Sequence, residues 1–150
     1  MFAVMTAGTL ERLMAEQGLG RRDFACLVCV PLSDDRLAER GFNQTELIAR
    51  RLADRSRIPF VPLLARIRHT GKMSQKTRAE RPRQLEGAFA CRDISGRESA
   101  RIASLAGQGR PLRMLLLDDV YTTGTTMQEC ARAIRQAYPG AEVYGLTWAR

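Results

Sequence analysis

Apolar positions along the chain recur with two different periods, and their alternation outlines the elements. "TAGTLERLMAEQGLG", Thr6 to Gly20, sets Leu10, Leu13, Met14 and Leu19 near helical spacing and stops on glycines. That predicts a short amphipathic helix closed by Gly18 or Gly20. "FACLVCVPL", from Phe24, is a continuous apolar run broken by Pro31 and predicts a buried strand. "DDRLAERGFNQ" is polar and reads as irregular, whereas "QTELIARRLADR", Gln44 to Arg55, is helical with Asn43 placed as its cap. "IPFVPLLARIR", Ile58 to Arg68, predicts another strand, whose prolines favour an edge.

The stretch from His69 to Gly87 is polar and basic, with no apolar period beyond a short helix expected around Thr77 to Arg81. It exceeds the roughly 4–6 residues of an ordinary connection, which makes it a candidate binding loop. After it come a short strand ("AFACR") and a helix-or-loop crossing from Asp93 to Pro111. A strong strand ("LRMLLLDD") and a strong helix from Thr125 to Pro139-Gly140 follow, then a last strand ("AEVYGLTWAR"). Strands alternating with helices predict one α/β domain over residues 1–150, a mostly parallel sheet with helices on both faces.

Composition narrows the picture. An apolar fraction of 45% and a charged fraction of 27% are those of a globular protein. No apolar run is long enough to span a bilayer, and Met1 to Leu10 lacks a signal-peptide pattern, so a cytoplasmic location is expected. The formal charge of +8 is carried almost wholly by arginine, whose planar fork suits phosphate. Aromatic residues make up only 6% and do not interleave with the basic ones, which weakens a nucleic-acid role read from charge alone. Cys26 and Cys29 form a C-x-x-C, but strand geometry sends them to opposite faces; Cys91, Cys130 and His69 stand alone. No metal site and no zinc ribbon follow from this set.

Candidate chemistry concentrates in "LLLDDVYTTGTTM", Leu115 to Met127. A buried strand delivers Asp118 and Asp119 to its carboxyl end, where α/β sheets bind ligands. Thr122, Thr123, Gly124, Thr125 and Thr126 then lead into a helix N-terminus, whose free N–H groups and dipole favour a phosphate. Carboxylates beside such a cup make sense if they reach hydroxyls, as on a ribose whose 5-phosphate fills the cup. The same residues also suit a turn and a helix cap, the plainer alternative.

These residues resemble the phosphoribosyl pyrophosphate (PRPP) motif of the type I phosphoribosyltransferases. A narrower resemblance, to the ComF family of competence-associated phosphoribosyltransferase homologues, rests on "VPLSDDRLAERGFNQ" at Pro31, Leu32, Arg36, Arg40, Gly41, Phe42, Asn43 and Gln44, with "GAF" at Gly87 to Phe89 and the terminal "AR". The resemblance implies a type I phosphoribosyltransferase fold without a substantial hood. It implies that Asp118 and Asp119 bind the ribose hydroxyls and that Thr122 to Thr126 hold the 5-phosphate. Pro31, Leu32, Ser33, Arg36 and Arg40 would form the pyrophosphate loop, and Arg66, Arg68 and Lys72 would belong to a flexible lid over about 66–84. Catalysis would rest on Asp118, Asp119 and Arg36, with Mg2+ carried by PRPP and no protein ligand of its own. The family's lid glutamine and the asparagine before "GAF" are here Met73 and Gln84, with Gln75 close by. The partners implied are PRPP and pyrophosphate; single-stranded DNA, the competence machinery and a second copy of the chain are also allowed.

Overall fold

The computed structural model describes residues 2–4, 8–68, 85–120 and 123–149. The His69–Gln84 stretch, with Lys72, Met73, Gln75 and the short helix expected at Thr77 to Arg81, lies outside them, as does Thr122. The elements in chain order are β1 (Phe2–Val4), α1 (Thr9–Gln17), β2 (Phe24–Cys29), α2 (Asp34–Arg40), α3 (Gln44–Ser56), β3 (Leu64–Arg66), β4 (Phe89–Cys91), α4 (Gly96–Ala106), β5 (Arg113–Val120), α5 (Thr125–Ala137) and β6 (Glu142–Ala149). Four strands form a sheet of order β1-β6-β5-β2 in which every neighbouring pair is parallel.

Side-chain alternation on the central strands builds two cores. Met114 and Leu116 of β5 join Cys26 and Val28 of β2 under α4, α5 and the β3–β4 pair. Leu115 and Leu117 join Leu27 and Cys29 under α1 and α3. The helices therefore cover both faces, as expected, and Cys26 and Cys29 do point to opposite sides. Burial drives both thiols up to about 12, so they behave as small apolar side chains. Each fully buried leucine in these layers contributes roughly 1.5–3 kcal/mol of transfer free energy.

Two expectations need correction. The segment read as irregular contains α2. Ser33 accepts from the Arg36 N–H at 3.4 Å, Asp34 and Asp35 fill the first turn, and Gly41 closes the helix in the left-handed region at φ +74°. Start and stop signals were in the sequence, but the helix buries no residue and so leaves no apolar period. The strand expected over Ile58 to Arg68 divides. Phe60 makes a single parallel bridge to Leu27, while β3 pairs antiparallel with β4 in a separate two-stranded sheet. Pro59 and Pro62 lack the N–H groups a longer ladder needs, which confines the segment to the edge as foreseen. One strand went unanticipated: β1 pairs parallel with β6.

Asn43 ties α3 to the sheet. Its Oδ1 accepts from the Thr45 and Glu46 N–H groups at 3.1 and 3.4 Å, and its Nδ2 donates to the Val30 carbonyl at 3.5 Å. Asn43→Ala is expected to cost about 0.5–2 kcal/mol in urea unfolding, and Asn43→Asp, which keeps the acceptor, much less. Equal losses in the two variants would mean that the cap is not what holds this end of α3.

Candidate functional site

Register brings the two conspicuous segments to one level. The Val30 N–H donates to the Leu117 carbonyl at 2.8 Å, so the chain leaves β2 at Pro31 beside the point where β5 reaches Asp118. Pro31, Leu32 and Ser33 form the turn, and α2 then carries Arg36 and Arg40. On β5, Asp118 is half-buried and accepts from the Asp119 N–H at 2.8 Å.

Burial pushes the Asp118 carboxyl up to about 7, helped by the neighbouring negative charge of Asp119, while the positive field of Arg36 pulls it the other way. Asp119 is half-buried too and lies 3.7 Å from the Arg40 guanidinium. At side-chain exposures of 44% and 23% that ion pair adds little stability, but it joins the end of α2 to the end of β5. Arg36 and Arg40 therefore face the acid pair.

Beyond Val120 the description resumes at Thr123. Gly124 takes φ +75°, a left-handed turn that suits glycine, and its carbonyl accepts the Gln128 N–H at 2.9 Å to open α5. The Thr123 and Thr125 hydroxyls lie 2.9 Å apart, and the Thr125 N–H points at Thr123 Oγ1 from 3.4 Å. Thr123, Gly124, Thr125 and Thr126 thus form a hydroxyl-rich cup on a helix N-terminus, whose first N–H groups lack acceptors within the helix.

Arg66 ends β3 with its guanidinium 5.7 Å from the Phe89 ring centre, and its charge is felt at Cys130, which also feels Asp118. Arg68 donates instead to the Glu86 carbonyl at 2.8 Å, a bond that closes the base of the β3–β4 pair. Of the expected cations, Arg40 reaches the acid pair and Arg36 acts on Asp118 through space; Arg66 lies toward the Pro31–Arg36 turn, within the field of Asp34, Asp35 and Arg36, Arg68 is engaged at the hairpin base, and Lys72 lies outside the described residues.

One feature went unread in the sequence. A cleft of about 580 Å³ opens between the Pro31–Leu32 turn, the start of α3 and β3. Its rim holds Leu37, Phe42 and Leu47, which are 42–50% exposed, and its wall includes Arg66 and Arg92. Phe42 within "RGFNQ" was visible as part of a motif, but no periodicity could place it beside Arg92, fifty residues away. Among the described residues no group of histidine, cysteine and carboxylate side chains is arranged to hold a metal ion, and no helix is long and apolar enough to cross a membrane.

Fold and site together define a parallel α/β protein that presents an acid pair, a threonine cup and facing arginines at its strand ends. No family model matches the chain. It is 32% identical over 124 residues to competence protein ComFC of Bacillus subtilis, covering 83% of this chain and 44% of the relative. It is 28% identical over 122 residues to competence protein F of Haemophilus influenzae, and 32% identical over 125 residues to the DNA utilization protein YhgH of Salmonella typhimurium. Those matches cover 80% and 83% of this chain and 48% and 49% of the relatives. The chain is a distant homologue of the ComF competence proteins, and it spans about half the length of the curated relatives it matches.

The raised Asp118 carboxyl has a consequence for stability. The folded protein keeps this proton to about pH 7, whereas the unfolded chain releases it near the ordinary value of 3.8. Stability from this group is therefore lost as pH rises between those values. Asp118→Asn, which retains the acceptor for Asp119, is expected to match the parent's melting temperature near pH 4 and exceed it at pH 8. A difference that does not change with pH would show that Asp118 titrates normally.

Proposed function

We propose that the chain has a type I phosphoribosyltransferase fold, binds Mg2+–PRPP across the carboxyl ends of β2 and β5, and transfers its phosphoribosyl group to a nitrogen acceptor. The observation that carries this reading is the direct succession of Asp118 and Asp119 into the Thr123–Thr126 cup at one strand end. In this arrangement the 5-phosphate takes the helix N-terminus, where hydroxyls and N–H groups point at it. Asp118 and Asp119 accept from the ribose hydroxyls. Arg36, Arg40 and Arg66 face the pyrophosphate, whose charge is shared with the Mg2+ that travels with the substrate.

Two adjacent carboxylates, their like charges unfavourably close, gain from accepting hydroxyls or sharing a cation. They suit a sugar diol and a substrate-borne metal. In the transfer the bond from C1 of the ribose to the pyrophosphate oxygen breaks, a nitrogen–C1 bond forms, and pyrophosphate leaves with the bonding pair. The acceptor's proton passes to solvent or a base. The protein's share is positioning and charge stabilisation of an oxocarbenium-like state.

Calorimetry at low salt is expected to detect Mg2+–PRPP binding, with Asp119→Ala weakening it by at least about tenfold, the loss of one charge-assisted contact. Pyrophosphate release across a panel of nucleobases and amines then identifies the acceptor. No binding by the parent chain, together with an indifferent Asp119→Ala, would sink the proposal.

The names of the relatives favour a second reading, a non-catalytic ComF-like accessory protein in DNA uptake that binds PRPP or single-stranded DNA alongside the competence machinery. The +8 charge supports it. On this reading DNA binding weakens steeply with salt and is indifferent to Asp118→Asn. Oligonucleotide titrations at two salt concentrations separate it from the first.

A further inference from the structure

Glu129 lies in the second turn of α5, the helix whose N-terminus forms the threonine cup. Its Oε2 accepts from the Gly87 backbone N–H at 3.2 Å and from Arg132 Nε and Nη2 at 3.1 and 2.7 Å. The Arg132 contact is an ordinary helix pair three residues apart. The Gly87 contact is of another kind, because it crosses 42 residues of chain to reach the segment that enters β4. Glu129 is 17% exposed, so the carboxylate is largely withdrawn from water and its hydrogen bonds are charge-assisted.

The β3–β4 pair needs such an anchor. It is a separate sheet that shares no ladder with the four parallel strands. Leu85, Ala88 and Phe89 pack on Met127, Cys130 and Ala131, so the pair rests on the flank of α5. Apolar contact is non-directional and leaves sliding along the helix weakly opposed. The Gly87–Glu129 bond fixes the register at the start of β4, with the Cys91 thiol donating to the Ala133 carbonyl at 3.7 Å at its far end. Two residues beyond Gly87, Phe89 stands opposite Arg66 in the ladder, with the guanidinium over its ring. Glu129, Gly87, Phe89 and Arg66 thus form a continuous chain from α5 to a cation that faces the Pro31–Arg36 turn across the cleft.

We infer that Glu129 is a positioning residue, which sets Arg66 relative to the phosphate cup by holding Gly87 on the helix that carries the cup. The inference rests on the reading of this site as one for Mg2+–PRPP.

The test is a double-mutant cycle between Glu129→Ala and Arg66→Ala, read by Mg2+–PRPP calorimetry and by amide hydrogen exchange at Gly87, Ala88 and Ile67. Glu129→Ala alone is expected to speed exchange at these amides and to weaken Mg2+–PRPP by about fivefold, a coupling of ordinary size for contacting residues. In the Arg66→Ala background it still speeds exchange but no longer weakens binding. Glu129→Gln, which keeps an oxygen for Gly87, recovers most of the affinity. Glu129→Asp keeps the charge but falls short of Gly87; it shows the loss in milder form and serves should the alanine variant not fold. Arg132→Ala, which leaves the Gly87 bond in place, binds as the parent does. Unchanged affinity in Glu129→Ala, or an equal loss with and without Arg66, would overturn the inference. A parent chain that takes up no Mg2+–PRPP would instead remove the functional reading on which it stands.

Discussion

β5 has no solvent face, and the site depends on that. It is hydrogen-bonded to β2 on one side and β6 on the other, and its side chains alternate into the two cores. A strand paired and covered in this way cannot shift by one residue without exchanging its whole apolar set between layers. The position of Asp118 is therefore fixed by Met114 to Leu117 rather than by anything at the site. Where those leucines stop, the chain passes from a dry interior to the sheet's end within one residue. That boundary is where a carboxylate can be enclosed enough to hold its proton and still be reached by a ligand.

Much of this was legible because it repeats. The run from Met114 to Leu117, the period of α5 and the Asn43 cap each leave a local signature, and local and global preferences agree. What escaped was whatever lacked a period or a partner nearby in sequence. α2 buries nothing, so no apolar rhythm marked it, although Ser33 and Gly41 bracketed it. β1 is three residues long, and its pairing is with the far end of the chain. The split of Ile58 to Arg68 turns on prolines whose effect depends on which edge they meet.

The acid pair and the cup were readable from one contiguous motif. The arginines around them were named only through the family resemblance, because a sequence rich in arginine offers many candidates and geometry selects few. Arg40 reaches Asp119, Arg36 acts on Asp118 through space, and Arg68 is diverted to a backbone carbonyl. The cleft beside the Pro31 turn belongs to the same class of feature. It is assembled from four separate stretches of chain, so no single stretch announces it.

The lack of any buried residue in α2 has a further consequence. A helix of seven residues has no stability of its own in water, and this one draws none from either core. Yet it carries Arg36 and Arg40, while the carboxylates opposite ride on the stiffest strand of the sheet. The site is thus graded in order, with its anions held rigid and two of its cations, Arg36 and Arg40, on an element that buries nothing. For any anionic ligand that these arginines grip, affinity becomes in part a measure of backbone entropy: the freedom α2 must give up before its charges count.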